Sequence, residues 1–523
     1  MTLSGPFYLE GVPMKALRIW FILGLFLPLL LPAQDYTEQR ILPEKDEFSF
    51  IGYYFVRGEM SNYAPKNEFL KGQVVGRLFG TNSTYMIDGQ TRFAEQRFIP
   101  IIAYSPRLFD GWATMRMSFE LDWTMGDANY GAGGNFGGAF GADFVNMQTQ
   151  NLYLELNPAP GLYVNVGLGR LFDNINVPAY TPTATLVNTG YRLAFWGSDA
   201  SGVAAWYAKA RSRTKIGAYQ LYENNVDQFD DVYLYELDHE YDIDHVHSIG
   251  ASLWYLRDDA NAEGGVSILG QGLNSALADY NGVYQFEFGN NPYHADVFWW
   301  GTHFHGNPLL DQGRFGYSGF AVLNTGRAST DSLDIDIMGY AANARLAWKY
   351  GRTPNDLVAL DATFSSGDTD NIRDGEYNGI LTGNNWTAPG AVFFSHGLYL
   401  LLPHGNVVNR FNGAVVDIQN IGYGLAAGSL TLQRDIIPFK LMAKVGLGHA
   451  LAPVAPFGGG HTIGTEVNVN LKYSPKVFFD IELHAASLML GDFYESDVVN
   501  GGNGAQIPDN PWTAFLTLKW IMF

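Results

Sequence analysis

The 523-residue sequence contains no cysteine, which removes disulfide frameworks, lipid attachment through an N-terminal cysteine and thiolate metal sites in one step. Charge is scarce, at 16% of residues, and there is no basic excess: 32 Lys and Arg stand against 52 Asp and Glu, a formal net charge of -20. Such a surface does not hold nucleic acid, whose phosphates need a basic footprint. Long apolar runs are missing too. Apart from residues 19–31, nothing approaches the about 20 consecutive apolar residues of a spanning helix, so a membrane chain of this composition has to cross as strands.

What the sequence has in excess is aromatic residues, 15% of the chain, and 60 glycines. Aromatics suit strands and interfacial girdles, and glycines suit turns. The stretch from Ala113 to Trp123 shows how they are used. Met115, Met117, Phe119, Leu121 and Trp123 fall on one parity, and Arg116, Ser118, Glu120 and Asp122 on the other. Successive strand side chains point to opposite faces, so this segment has a greasy face and a charged face.

The pattern recurs. Alternating segments begin at Phe48 to Glu59 and continue through Gly72 to Phe79, Gln96 to Tyr104, Gln148 to Asn157 and Leu162 to Leu168. Later copies include Lys215 to Tyr222, Gly282 to Phe288, Ile337 to Tyr350, Val392 to Leu402 and Trp512 to Phe523. Clusters of Gly, Asn, Asp and Pro separate them. Short connections such as Asn157 to Gly161 and Tyr473 to Lys476 contrast with long polar ones such as Ser365 to Gly390 and Asp492 to Asn510. Unequal ends are expected of a transmembrane barrel and have no reason to exist in a soluble sandwich. The expectation is an all-β fold, a transmembrane antiparallel β-barrel of about 16–18 strands.

Targeting agrees. Met14 to Arg18 is a positive n-region, Ile19 to Leu31 an apolar core and Leu31-Pro32-Ala33 a cleavage site. Residues 1–33 therefore read as an upstream extension and a cleavable signal peptide, with a retained anchor helix as the alternative. Residues 34–47 form a periplasmic tail and 48–523 the barrel. The chain ends on a strand with an aromatic last residue, Phe523. Its apolar face, however, is Trp512, Ala514, Leu516, Leu518, Trp520 and Met522, opposite to Phe523 in parity.

Asn151 to Leu156, a short turn, then Val164 to Arg170 resemble the paired strands ending in Gly-x-Arg of alginate-export-like porins. Phe364 to Asp370, a strand running into Ser-Gly-Asp, and Leu490-Gly491-Asp492-Phe493-Tyr494 are similar to later landmarks of that family. The resemblance implies an outer-membrane channel of a Gram-negative bacterium. Its partners are the lipid bilayer with its outer-leaflet glycolipid, the outer-membrane assembly machinery and small hydrophilic solutes.

In a barrel the polar face lines the lumen and its charges decide what passes. The lumen candidates are Arg116, Glu120, Asp122, Glu155, Lys440, Lys444, Glu466, Lys472, Asp480 and Glu482, with Lys209, Arg211 and Arg213 as a basic ladder that Lys215 would extend. A turn near Ser212 would break that ladder. The array either orients solutes in a constriction or rigidifies the wall through salt bridges. His303 and His305 share a face, and Asp238 to His245 is an acidic, His-bearing stretch that reads as a solvated external loop. Neither matches a zinc or calcium spacing, so no metal and no cofactor is expected. The Gly-rich stretch from Gly126 to Ala142 precedes no helix and is a loop, not a phosphate cradle. Ser395-His396 forms no recognisable triad, and no enzyme activity is expected. The function implied is passive diffusion or export of small hydrophilic solutes or saccharides; the alternative is a barrel-anchored adhesin or assembly subunit with long external loops.

Overall fold

The computed structural model describes residues 47–65, 78–79, 84–125, 130–132, 135–137, 146–171, 198–223, 228, 230–260, 286–288, 291–308, 310–381, 397–402, 404, 416–502 and 504–523. They belong to one compact unit, Glu44–Phe523. The signal-peptide and tail expectations for residues 1–46 lie outside the described residues.

Eighteen strands form the wall: β1 Phe48–Pro65, β2 Thr84–Tyr104, β3 Ala113–Thr124, β4 Asn146–Ala159, β5 Leu162–Leu171, β6 Ser198–Lys209, β7 Ser212–Tyr222, β8 Val232–Asp242 and β9 His247–Asp258 make the first half. The second half is β10 Tyr293–Gly306, β11 Phe315–Thr330, β12 Asp334–Lys349, β13 Leu357–Ser365, β14 Leu425–Ile437, β15 Leu441–Leu451, β16 Thr462–Lys476, β17 Phe479–Leu490 and β18 Trp512–Met522. Each strand pairs antiparallel with its neighbours in sequence. β18 then pairs antiparallel with β1, Gly52 opposite Met522 and Ser61 opposite Thr513, so the sheet closes. Closure leaves no unpaired edge, which hydrocarbon would not tolerate.

The distribution of side chains across this wall is inverted relative to a soluble protein. On β16 the outward Val467, Val469 and Leu471 are exposed, while the inward Glu466, Asn468 and Asn470 are buried. A sandwich would bury the first set and solvate the second; only a lipid-facing wall reverses them. On β12 the outward face carries Met338, Tyr340, Leu346 and Trp348, all exposed. The eleven positions from Met338 to Trp348 span about 34 Å along the strand, about 24 Å along the barrel axis at a tilt of about 45°, close to the ~25 Å apolar band of such barrels. Aromatic residues Trp112, Phe439, Phe478 and Phe523 stay exposed at the end with short turns, where an interfacial girdle belongs.

The two rims differ as the sequence implied. At one rim, connections run from two residues (160–161, 210–211, 477–478) to eight (105–112, 307–314); at the other, 172–197, 259–292 and 366–424 are long. Among the described residues no helix is long and apolar enough to cross a membrane.

Several segment boundaries change. β2 starts twelve residues before the expected Gln96, at Thr84. Phe286 to Phe288 and Leu398 to Leu402 are not strands: Phe286, Phe288 and the residues from Leu398 to Leu402 are apolar because they pack into the buried core from loops. The remainder of those two expected segments, residues 72–77 of a third, and the Ser395-His396 pair lie outside the described residues. The acidic stretch from Asp238 is no external loop. It continues β8 to Asp242, with Asp238 and Glu240 buried on the interior face.

Candidate functional site: a charged interior with a docked loop

The long connection between β13 and β14 returns into the barrel. Ser365 starts it, donating from Oγ to Ile418 O at 2.6 Å and accepting from Leu425 N at 2.8 Å, which pins departure and return together. Asp368 then accepts from the backbone N–H of Asp370 and Asn378. A Cβ at Gly367 would overlap Tyr423 O. The Ser-Gly-Asp landmark is thus the knot of the loop.

From there Leu398, Tyr399, Leu400, Leu401 and Leu402 lie essentially fully buried. An apolar segment without strand partners must satisfy its N–H groups elsewhere. Glu466 on β16 does this: Oε1 accepts from Tyr399 N at 2.8 Å, and Oε2 from Leu400 N at 3.0 Å and Leu401 N at 2.7 Å. Asn468 Nδ2 completes the set at 2.8 Å. Lys444 on β15 places its ammonium 4.9 Å from the centre of the Tyr399 ring. The rings of His484, Phe515 and His404 form a stack, 4.4 Å and 5.4 Å between centres, with Tyr399 edge-on to it. Further along the wall, Trp299 Nε1 donates to Leu381 O at 2.7 Å, and Leu381 N to Asn324 Oδ1 at 3.1 Å.

Elsewhere among the described residues the interior charges are paired, mostly between neighbouring strands. Arg116 on β3 makes two parallel 3.0 Å bonds to Glu155 on β4, a fork geometry that fixes both side chains. Lys215 on β7 meets Glu236 on β8 at 2.6 Å. Arg213 reaches both Glu240 and Asp242. His303 on β10 bonds Glu240 at 2.7 Å by passing over β9, where Gly250 offers no side chain. Arg345 faces Asp361 at 3.3 Å, Lys472 faces Asp480 at 2.7 Å, and Glu482 meets both His484 and Lys519.

Three expected lumen residues do not line the interior. Lys209 ends β6 and Arg211 stands in the two-residue hairpin that follows, both exposed; Arg211 Nη1 donates to Ile243 O. The turn at 210–211 breaks the ladder after one strand, leaving Arg213 and Lys215 inside. Lys440 sits exposed in the 438–440 turn, so it does not share an interior face with Lys444. Glu120 and Asp122 lie on β3, at register positions opposite Gln148 and Asn146. His294 is on the outward face of β10, away from His303 and His305.

One charged centre escaped the sequence reading. Arg57 and Glu59 on β1 and Glu95 on β2 are buried together, with the Arg57 guanidinium 4.7 Å from the Phe515 ring centre. Tyr63 Oη and Thr513 Oγ1 both donate to Glu59. The signal was there: Phe55, Arg57, Glu59 and Ser61 alternate against Tyr54, Val56, Gly58 and Met60.

The turn at 243–246 carries its own anchor. Asp244 accepts from His247 Nδ1 and from the backbone N–H of Val246 and His247, which holds its carboxyl down at about 2. Among the described residues no group of three or more His, Asp or Glu could hold a metal ion.

No family model matches the sequence, and no curated protein does. Solved structures similar to it are Pseudomonas aeruginosa OccK11 (OpdR), at 12% identity over 91% of this chain and 96% of that one with a TM-score of 0.43, and Acinetobacter baumannii OccAB4, at 10% over 90% and 98% with 0.44. A third is Pseudomonas aeruginosa OpdK, solved with vanillate, at 11% over 90% and 98% with 0.45.

Proposed function

We propose that this chain is an outer-membrane channel of a Gram-negative bacterium for small hydrophilic solutes, saccharides included, with the short-turn rim in the periplasm and the long loops outside. The observation that carries the reading is the closed wall with an apolar band outside and buried charge inside. The docked loop supports it as well, since Leu398 to Leu402 fold inward and narrow the lumen instead of projecting as an adhesive surface. Paired charges keep the wall rigid around that constriction, and selectivity comes from its radius and residual field. The saccharide cargo rests on the short motifs shared with alginate-export-like porins. Liposome swelling tests the function: protein-loaded vesicles swell in pentoses and hexoses and progressively less in larger oligosaccharides, whereas swelling no faster than in protein-free vesicles for all of them would favour the adhesin reading.

A further inference from the structure

The wall from β4 to β7 carries a recess lined, among the described residues, by neither the docked loop nor its anchor. Its floor is glycine, with Gly167 and Gly169 on β5 and Gly202 on β6. That floor is crowded at two of the three positions. A Cβ at Gly167 would come to 2.6 Å from Leu152 O, and one at Gly202 to 2.7 Å from Tyr219 Cδ1. A Cβ at Gly169 would meet nothing within 4 Å. Open space therefore begins above Gly169.

Aromatic rings frame this space: Tyr153, Trp206 and Tyr219. Between them lie two buried polar atoms with no hydrogen-bond partner among the described residues, Asn165 Oδ1 and Trp206 Nε1, on residues 8% and 6% exposed. One is an acceptor and the other a donor, and leaving either unmade is costly. A hydroxyl group serves both, donating to Oδ1 and accepting from Nε1–H. The local charge argues against an anion. The buried Lys215 ammonium is already held by Glu236 and lies 5.3 Å from the centre of the Trp206 ring, and Asp238, which accepts from Trp254 Nε1, adds a second carboxylate on the same face of β8.

We propose that this recess is a wall subsite for an uncharged, hydroxyl-bearing solute, a saccharide lying along the lumen wall that sends one hydroxyl into the recess to Asn165 and Trp206. The assignment rests on the channel function above and names its substrate class. The test is a titration of maltose, with benzoate as the charged comparison, on the full chain in planar bilayers. Maltose reduces the ion current saturably and benzoate does not. Gly169→Leu, which fills the recess without a backbone clash, weakens the maltose effect about tenfold, equivalent to about 1.4 kcal/mol; Asn165→Leu and Trp206→Phe weaken it severalfold. An open channel indifferent to maltose, a block unchanged in Gly169→Leu, or saturation by benzoate in place of maltose would each overturn the assignment. If no current flows at all, the channel reading fails and fluorescence decides the subsite separately. In detergent, maltose changes the tryptophan emission of the wild type but not of Trp206→Phe, and no change in the wild type overturns the proposal.

Discussion

Glu466→Gln is the sharpest probe of the docked loop. In the wild type, the two carboxylate oxygens accept three backbone N–H groups of Tyr399, Leu400 and Leu401 and one amide N–H of Asn468. Glutamine has nearly the same shape but only one acceptor oxygen. With its carbonyl toward Leu400 and Leu401, its amide faces the N–H groups of Tyr399 and Asn468; turned the other way, it faces those of Leu400 and Leu401. Two bonds to a charged acceptor are lost in either case, one or two of them to the loop, at about 1.5–3 kcal/mol each, so docking weakens by about 1.5–6 kcal/mol, on the order of 10- to 10⁴-fold. The apolar run then spends more time undocked. Two readouts follow it: cleavage within Leu398 to Leu402 by protease added to the outer side of proteoliposomes, and single-channel current. The variant is cut faster and shows larger or noisier openings. Wild-type protection together with wild-type conductance would refute the claim that Glu466 holds the loop.

Gly250→Val places a side chain where the buried His303 ring crosses β9, an overpacking that costs about 1–3 kcal/mol; the heat-modifiable gel shift moves to lower temperature, and adding His303→Ala recovers part of it. Arg213→Glu shifts the reversal potential toward cations, because Arg213 faces the interior beside Glu240 and Asp242, whereas the double reversal Lys209→Glu, Arg211→Glu at the exposed hairpin leaves it unchanged; equal shifts would put the hairpin in the ion path. Asp244, held at about 2 against a usual 3.8, stabilises the 243–246 turn fully above about pH 4 and progressively less as pH falls through about 2. The difference in thermal stability between wild type and Asp244→Asn therefore shrinks from pH 4 to pH 2, and a difference constant over that window would remove the anchor.

Period-two alternation made the wall legible in the sequence because each strand meets lipid on one side and the interior on the other. Met115, Met117 and Phe119 against Arg116 and Ser118 needed no further information. The parity of the last strand is explained the same way: Thr513, Phe515 and Thr517 are buried inside, so the apolar face on Leu516 and Trp520 is the lipid face. Alternation fails where tertiary packing replaces it. Leu398 to Leu402 looked like a strand because an interior loop is as apolar as a lipid face, and nothing local distinguishes a carboxylate on β16 from a β-ladder as the partner of its N–H groups. Asp238 to Asp242 looked like a solvated loop because its charges are neutralised by Arg213, Lys215 and His303, which lie on other strands. Lys209 and Lys440 show the converse: a shared parity says nothing about the interior once a turn intervenes.

The most direct measurement is single-channel recording of the purified, heat-modifiable chain in planar bilayers. Discrete conductance steps are expected, from a water-filled path beside the docked loop. A correctly folded barrel that stays electrically silent, even with Glu466→Gln, would contradict the channel function.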